Sequence, residues 1–156
     1  MCKYQFFKPL FSIIFLVLLS LNTGCSSDDD NENDSIQTVE VSVNGAVLFD
    51  DGDDFNGDVD GDFTGNGGSG ERTFLWQNSL NTAEYNADIT ATSNGLFTMV
   101  VKDADGNIVL DKMLQGGIEP DSFSGVTNRG ASGIWSVEIS LSSFNGDGSF
   151  SLSEGD

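Results

Sequence analysis

The sequence predicts an all-β domain, a single antiparallel β-sandwich, on three observations. From Gln37 onward, apolar and polar residues alternate with a period of two. No stretch in that region repeats its apolar residues at helical spacing. The alternating runs are short, about eight or nine of them, separated by glycine-rich turns with Pro120 as the one proline. Runs of this kind each have one face to bury, and stacking two layers of them buries it.

Ahead of the domain, Lys3 and Lys8 precede an apolar run from Leu10 to Leu21 relieved only by serines. That is a charged n-region followed by an h-region, and about 12 apolar residues fall short of the ~20 that a spanning helix needs. The run closes on Leu21-Asn22-Thr23-Gly24-Cys25. This resembles the lipobox of bacterial lipoproteins, with Gly24 before the cysteine, Leu21 at the fourth position upstream and Asn22 where an aliphatic residue is commoner. The resemblance implies that residues 1–24 are a signal peptide and that Cys25 becomes the acylated N-terminus. Ser26-Ser27-Asp28-Asp29-Asp30 resembles the Ser/Asp-rich export signal of Bacteroidetes lipoproteins, which implies an outer-membrane, lipid-anchored protein facing the cell exterior. Residues 25–35 form the lipidated linker. Between Asp28 and Asp34 they hold only Asp, Glu and Asn, too polar to offset the entropy of ordering. Residues 36–156 form the sandwich domain.

Charge narrows the partners. Of six basic residues, only Arg72, Lys102, Lys112 and Arg129 lie beyond Cys25, against all 25 acids. Such a balance opposes nucleic acid and anionic membrane surfaces and favours cations. The chain has no histidine, which excludes Ser-His-Asp and Cys-His sites and any zinc site built on imidazole. Lys102 and Lys112 have no nucleophile patterned beside them, so the sequence predicts a protein that is not an enzyme. Cys25 is the one mature cysteine and leaves no intramolecular disulfide.

Along the domain, Val39, Val41 and Val43 alternate with polar residues up to the turn pair Asn44-Gly45, and Ala46 to Phe49 returns as the second arm of a hairpin. Thr73 to Gln77 and Ala83 to Ala91 each read as a strand with one face inward. Leu96 to Lys102 and Ile108 to Leu114 form a hairpin about Asp103-Ala104-Asp105-Gly106-Asn107, whose two aspartates serve the turn or a small cation. Ser122 to Val126 reads as an edge strand. Trp135, Val137, Ile139 and Leu141 alternate with polar partners, and Asn145-Gly146-Asp147-Gly148 is expected to turn the chain into a closing arm at Phe150 and Leu152. This last unit resembles the closing hairpin of jelly-roll or immunoglobulin-like accessory domains on secreted bacterial proteins.

Asp50 to Gly70 interrupts the pattern, with seven aspartates between Asp50 and Asp62 and glycines at 52, 57 and 61. Calcium takes six to eight hard oxygen ligands, which a glycine-bent loop of alternating Asp and Asn supplies. Asn56-x-Asp58-x-Asp60-Gly61-Asp62-x-Thr64 resembles the first nine positions of an EF-hand-type loop. It begins with Asn, has Gly67 where the bidentate Glu belongs, and lacks flanking helices. The expectation is therefore a calcium loop between strands, with Asp54, Asn56, Asp58, Asp60 and Asp62 as ligands.

Trp76, Tyr85 and Trp135 could stack on sugar rings if exposed, with Trp76 and Trp135 as the candidate ligand-binding residues. All three run in phase with apolar neighbours, which favours the core. The sequence thus predicts a non-catalytic, calcium-responsive binding or adhesion module held at the outer membrane, with a carbohydrate-binding accessory role or a purely structural one as the alternatives. A glycan or a protein is the expected ligand.

Overall fold

A computed structural model describes residues 37–91 and 93–155. The leader, Cys25 and the linker fall outside the described residues. Nine strands follow in order: β1 Val39–Val43, β2 Ala46–Val47, β3 Asp53–Asn56, β4 Val59–Asn78, β5 Ala83–Ala91, β6 Leu96–Lys102, β7 Ile108–Gln115, β8 Ser122–Val126 and β9 Gly133–Glu154. Two of them are not short. β4 and β9 pair antiparallel along almost their whole lengths, from Val59 opposite Leu152 to Asn78 opposite Gly133.

This long ladder belongs to both layers of the sandwich. Its first half, Val59 to Asn66 with Asn145 to Leu152, is flanked by β1 on one side and by β5 then β8 on the other. Its second half, Gly70 to Asn78 with Gly133 to Leu141, is flanked by β3, the one parallel neighbour, and by β6 then β7. Between the halves the register shifts twice, at Asn66/Gly68 and Gly68/Gly70, and Ser143 takes a left-handed φ of 47°. The inward phase changes there. Val59, Gly61 and Phe63 point inward before the bend, Phe74, Trp76 and Asn78 after it; on β9 the buried residues pass from odd numbers to even at Phe144. Bulges of this kind bend a strand and re-aim its side chains.

The two layers meet through their aromatic rings. Phe63 in the first layer lies flat on Phe97 in the second at 4.4 Å, and Phe74 in the second lies over Phe150 in the first at 6.2 Å. The Asn44-Gly45 turn forms as expected, both residues with positive φ as a type I′ hairpin requires. The hairpin about Asp103 also forms as expected.

Two expectations are corrected. The acidic segment is not one loop: after a turn at residues 50–52 it forms the short strand β3, and from Val59 it runs within β4; the Gly-Asp-Gly at 146–148 is not a turn but lies within β9, opposite residues 63–65 of β4. The reason is a reciprocal exchange of ring for hydrogen. Phe63 is directly opposite Gly148 and Gly61 directly opposite Phe150. A Cβ on Gly61 would come within 2.1 Å of the Phe150 ring, and one on Gly148 within 2.4 Å of the Phe63 ring. The glycines are inward residues of a strand, emptied so that the opposing phenylalanine can lie across them, the device that covers glycine in twisted sheets.

Candidate functional site

The predicted calcium ligands do not converge. Asp54 and Asn56 lie on β3 at the edge of the second layer, while Asp60 and Asp62 lie on β4 in the first, with Asp58 just before it. Successive outward residues on one strand stand about 6.6 Å apart, too far for one ion to gather several carboxylates. Backbone groups of the segment are already committed. The Asn44 side chain donates to the Asp58 carbonyl at 3.3 Å and accepts from the Asp60 amide at 2.8 Å, and the Trp76 indole donates to the Gly57 carbonyl at 2.7 Å. Among the described residues no three acidic side chains come together as a metal cluster.

What forms instead is a carpet. Across the outer face of the first layer one row reads Ser42, Asp62, Ser149, Asp88, Ser122, and another Glu40, Thr64, Asp147, Thr90. Every acid faces a hydroxyl across the ladder, and Ser149 donates to Asp88 at 2.7 Å. Like charges directly opposite destabilise a sheet, and this interleaving avoids them.

Asp103 is a backbone clamp. Its carboxylate accepts from the amides of Asp105 at 3.0 Å, Asn107 at 2.8 Å and Ala131 at 2.9 Å, and from the Asn107 side chain. The Ala131 amide above all, with Asn107 and Asp105, holds its carboxyl below the usual aspartate value against the opposing pull of burial. A group so occupied with amides is a fastening of the β6–β7 turn to the chain entering β9.

Trp76 and Trp135 are fully buried and face each other edge-on at 5.9 Å as ladder partners. Their indole N–H groups are satisfied by the carbonyls of Gly57 and Ala131. Neither ring is available for sugar stacking, which corrects that assignment.

Tyr85, by contrast, is half-buried. It has the inward phase of β5, but β5 has only the short strand β8 beyond it, and β7 ends the other layer. At that open side lies a cleft of about 360 Å³ lined by Tyr85, Ile108, Asp111, Lys112, Val126 and Asn128 among others. A second hollow of about 410 Å³, on the far side of β8, also reaches Tyr85, between Glu84, Asn86, Ser124 and Ser151. Gly125 makes this possible. A Cβ there would meet the tyrosine oxygen at 2.8 Å, so the ring reaches past the strand only where the strand has no side chain. Phe123 packs edge-on against the ring at 5.8 Å and fixes its plane. Among the described residues the Tyr85 hydroxyl holds no hydrogen bond.

The sequence offers Tyr85 as a stacking ring if exposed, but its phase, the same as that of the two tryptophans, favours the core and does not single it out. The signal lay in Ser122-Phe123-Ser124-Gly125, a strand too short and too small to cover it.

No family model matches the chain, and no curated protein does. A solved structure titled as that of TmCBM61 in complex with beta-1,4-galactotriose is similar over 77% of this chain and 86% of that one, at 12% identity and a TM-score of 0.37.

Proposed function

We propose that this chain is a lipid-anchored, non-catalytic binding domain displayed on the outer membrane through Cys25, and that it holds a glycan in the cleft between β7 and β8. The observation that supports the ligand class is the environment of Tyr85. The Tyr85 ring, its hydroxyl without a hydrogen bond among the described residues, lines that cleft together with the polar side chains of Asn128, Lys112 and Asp111. A sugar ring presents an apolar face of C–H bonds and a rim of hydroxyls, and this lining answers both. The absence of histidine excludes an imidazole base and supports recognition without chemistry. Divalent cations act in this reading as counter-ions to the acidic face.

The test is titration of the purified full-length chain in detergent against a panel of oligosaccharides. Replacing Tyr85 by alanine should weaken binding about tenfold or more, equivalent to ~1.4 kcal/mol. Binding that survives Tyr85→Ala unchanged would remove the cleft from the reading. Cys25→Ser should release the protein from the membrane fraction, and a variant that still sediments with membranes would refute the anchor.

A further inference from the structure

We propose that Asn56 is a site of spontaneous covalent modification, converted to aspartate and isoaspartate through attack by the Gly57 amide, and that the fold selects it from among five Asn-Gly pairs.

These pairs stand at residues 44–45, 56–57, 66–67, 94–95 and 145–146. In each, the glycine nitrogen can attack the side-chain carbonyl carbon of the asparagine, because glycine has no Cβ to hinder the approach. The nitrogen gives up its proton, the N–Cγ bond forms, the Cγ–Nδ2 bond breaks and ammonia leaves. Water then opens the cyclic imide. Opening at Cγ gives aspartate. Opening at the asparagine's own backbone carbonyl carbon gives isoaspartate, whose main chain runs through an extra methylene. The reaction needs a side-chain amide free to swing and a glycine with room to turn, and among the described residues the two conditions coincide at one pair.

Three pairs fail on their surroundings. Gly95 packs against the backbone of Ser143 and Phe144, and Gly146 against that of Thr90 and Ala91, each too closely for even a Cβ to fit. Gly67 lies beside the Gln37 side chain, and Asn66 before it is tied to Thr38, its Oδ1 accepting from the Thr38 amide and its own amide donating to the Thr38 carbonyl. Gly45 and Gly57 both have open space where a Cβ would stand, so there the asparagine decides. The Asn44 side chain is fastened at both ends, donating to the Asp58 carbonyl and accepting from the Asp60 amide. It reaches the Gly45 nitrogen only by giving up both bonds. Asn56 is exposed, and among the described residues no hydrogen bond holds its side chain. It is the last ladder residue of β3, opposite Gln77, and the Gly57 amide beyond it donates to no backbone carbonyl among the described turns.

The position matters beyond the charge it adds. The Gly57 carbonyl accepts the hydrogen bond of the fully buried Trp76 indole at 2.7 Å, so a methylene inserted just before Gly57 moves that acceptor. Because ammonia escapes, the change accumulates and records the age of the molecule.

The experiment incubates the purified full-length chain in mildly alkaline buffer, folded in detergent and in parallel unfolded in urea, and follows each pair by peptide mapping with mass spectrometry. In the folded chain Asn56 should convert at least about tenfold faster than Asn44, equivalent to ~1.4 kcal/mol of barrier. In urea that difference should collapse. Isoaspartate at position 56 should change the tryptophan fluorescence, whereas Asn56→Asp, which adds the charge without the methylene, should not. Asn56→Gln, whose longer side chain closes its ring less readily, should keep the original fluorescence through the same incubation. The same ranking of the pairs in the folded chain and in urea would show that local sequence selects the site and would overturn selection by the fold. An Asn56 that outlasts Asn44 in the folded chain would overturn the site itself.

Discussion

The ladder between β4 and β9 and the open side between β7 and β8 are made from the same kind of alternating sequence and behave in opposite ways. In the ladder most inward residues have a partner strand on both sides, and the glycines Gly61 and Gly148 are filled by the ring of the residue opposite. At the open side the inward residues Tyr85 and Lys112 stand on strands with one neighbour or beside a short one, and their phase carries them toward solvent. Period-two alternation tells which face a residue takes. Whether that face is covered depends on the strand's place in the sheet.

The largest effect belongs to the ladder. Trp76→Ala removes a fully buried indole that packs on Trp135 and satisfies the Gly57 carbonyl, and should cost about 3–5 kcal/mol in chemical denaturation. In the intact protein acrylamide should quench neither indole efficiently. Efficient quenching of either would mean that the ladder is as open as the cleft.

Next is the glycine exchange. Gly61→Ala forces a Cβ into the Phe150 ring and should cost about 1–3 kcal/mol. Phe150→Leu vacates part of that space, so the double variant should be more stable than the two single losses added together. Strict additivity would show that Gly61 and Phe150 do not share the site, since coupled neighbours are the ones that depart from it.

These two predictions mark where the sequence was legible. The fold class, the Asn44-Gly45 hairpin, the β6–β7 hairpin, β5 and the edge strand β8 follow from alternation and turn residues, because each is a local pattern. The Asp50–Gly70 and Asn145–Gly148 segments were illegible because their glycines answer to residues some ninety positions away: Gly61 to Phe150, Phe63 to Gly148. A glycine beside aspartates has the same appearance in a turn and under a ring. The candidate site was illegible for the related reason that Tyr85 is left half-buried by an absence, the missing side chain of Gly125. No local pattern records that absence.

A smaller effect, dependent on pH, tests the clamp that joins the β6–β7 turn to the entry of β9. Asp103 has its folded-state carboxyl held low by the Ala131 amide and its companions, and Glu154 by the Ser79 amide and hydroxyl. Each is therefore ionised in the folded chain at a pH where the unfolded chain already binds a proton. The contribution is fully present above the usual carboxylate values of 3.8 and 4.5, and it is lost as pH falls through them toward the lowered folded values. Asp103→Asn should be less stable than the parent at pH 7, and the gap should close toward pH 3. A gap that stays constant over that range would mean that the carboxylate's charge is irrelevant to the clamp.

The smallest effect is expected on the acidic face, and it separates a bound ion from a screened surface. Asp58, Asp60 and Asp62 follow one another along β4 and its approach, and each acid in the cross-strand rows faces a hydroxyl in place of a second carboxylate. A cation approaching this surface meets one carboxylate at close range and its neighbours only through water, whereas calcium selectivity needs many oxygens around one centre. Repulsion along the face is still real, and any divalent ion relieves some of it. Calcium and magnesium at equal ionic strength should therefore raise the melting midpoint by similar small amounts. The Asp58→Asn/Asp60→Asn variant should start slightly higher and respond less to both ions. A calcium shift several degrees above that of magnesium, abolished in the same variant, would show that the segment leaves its strand to wrap an ion, and the contrast between a closed ladder and an open edge would have to be redrawn around it.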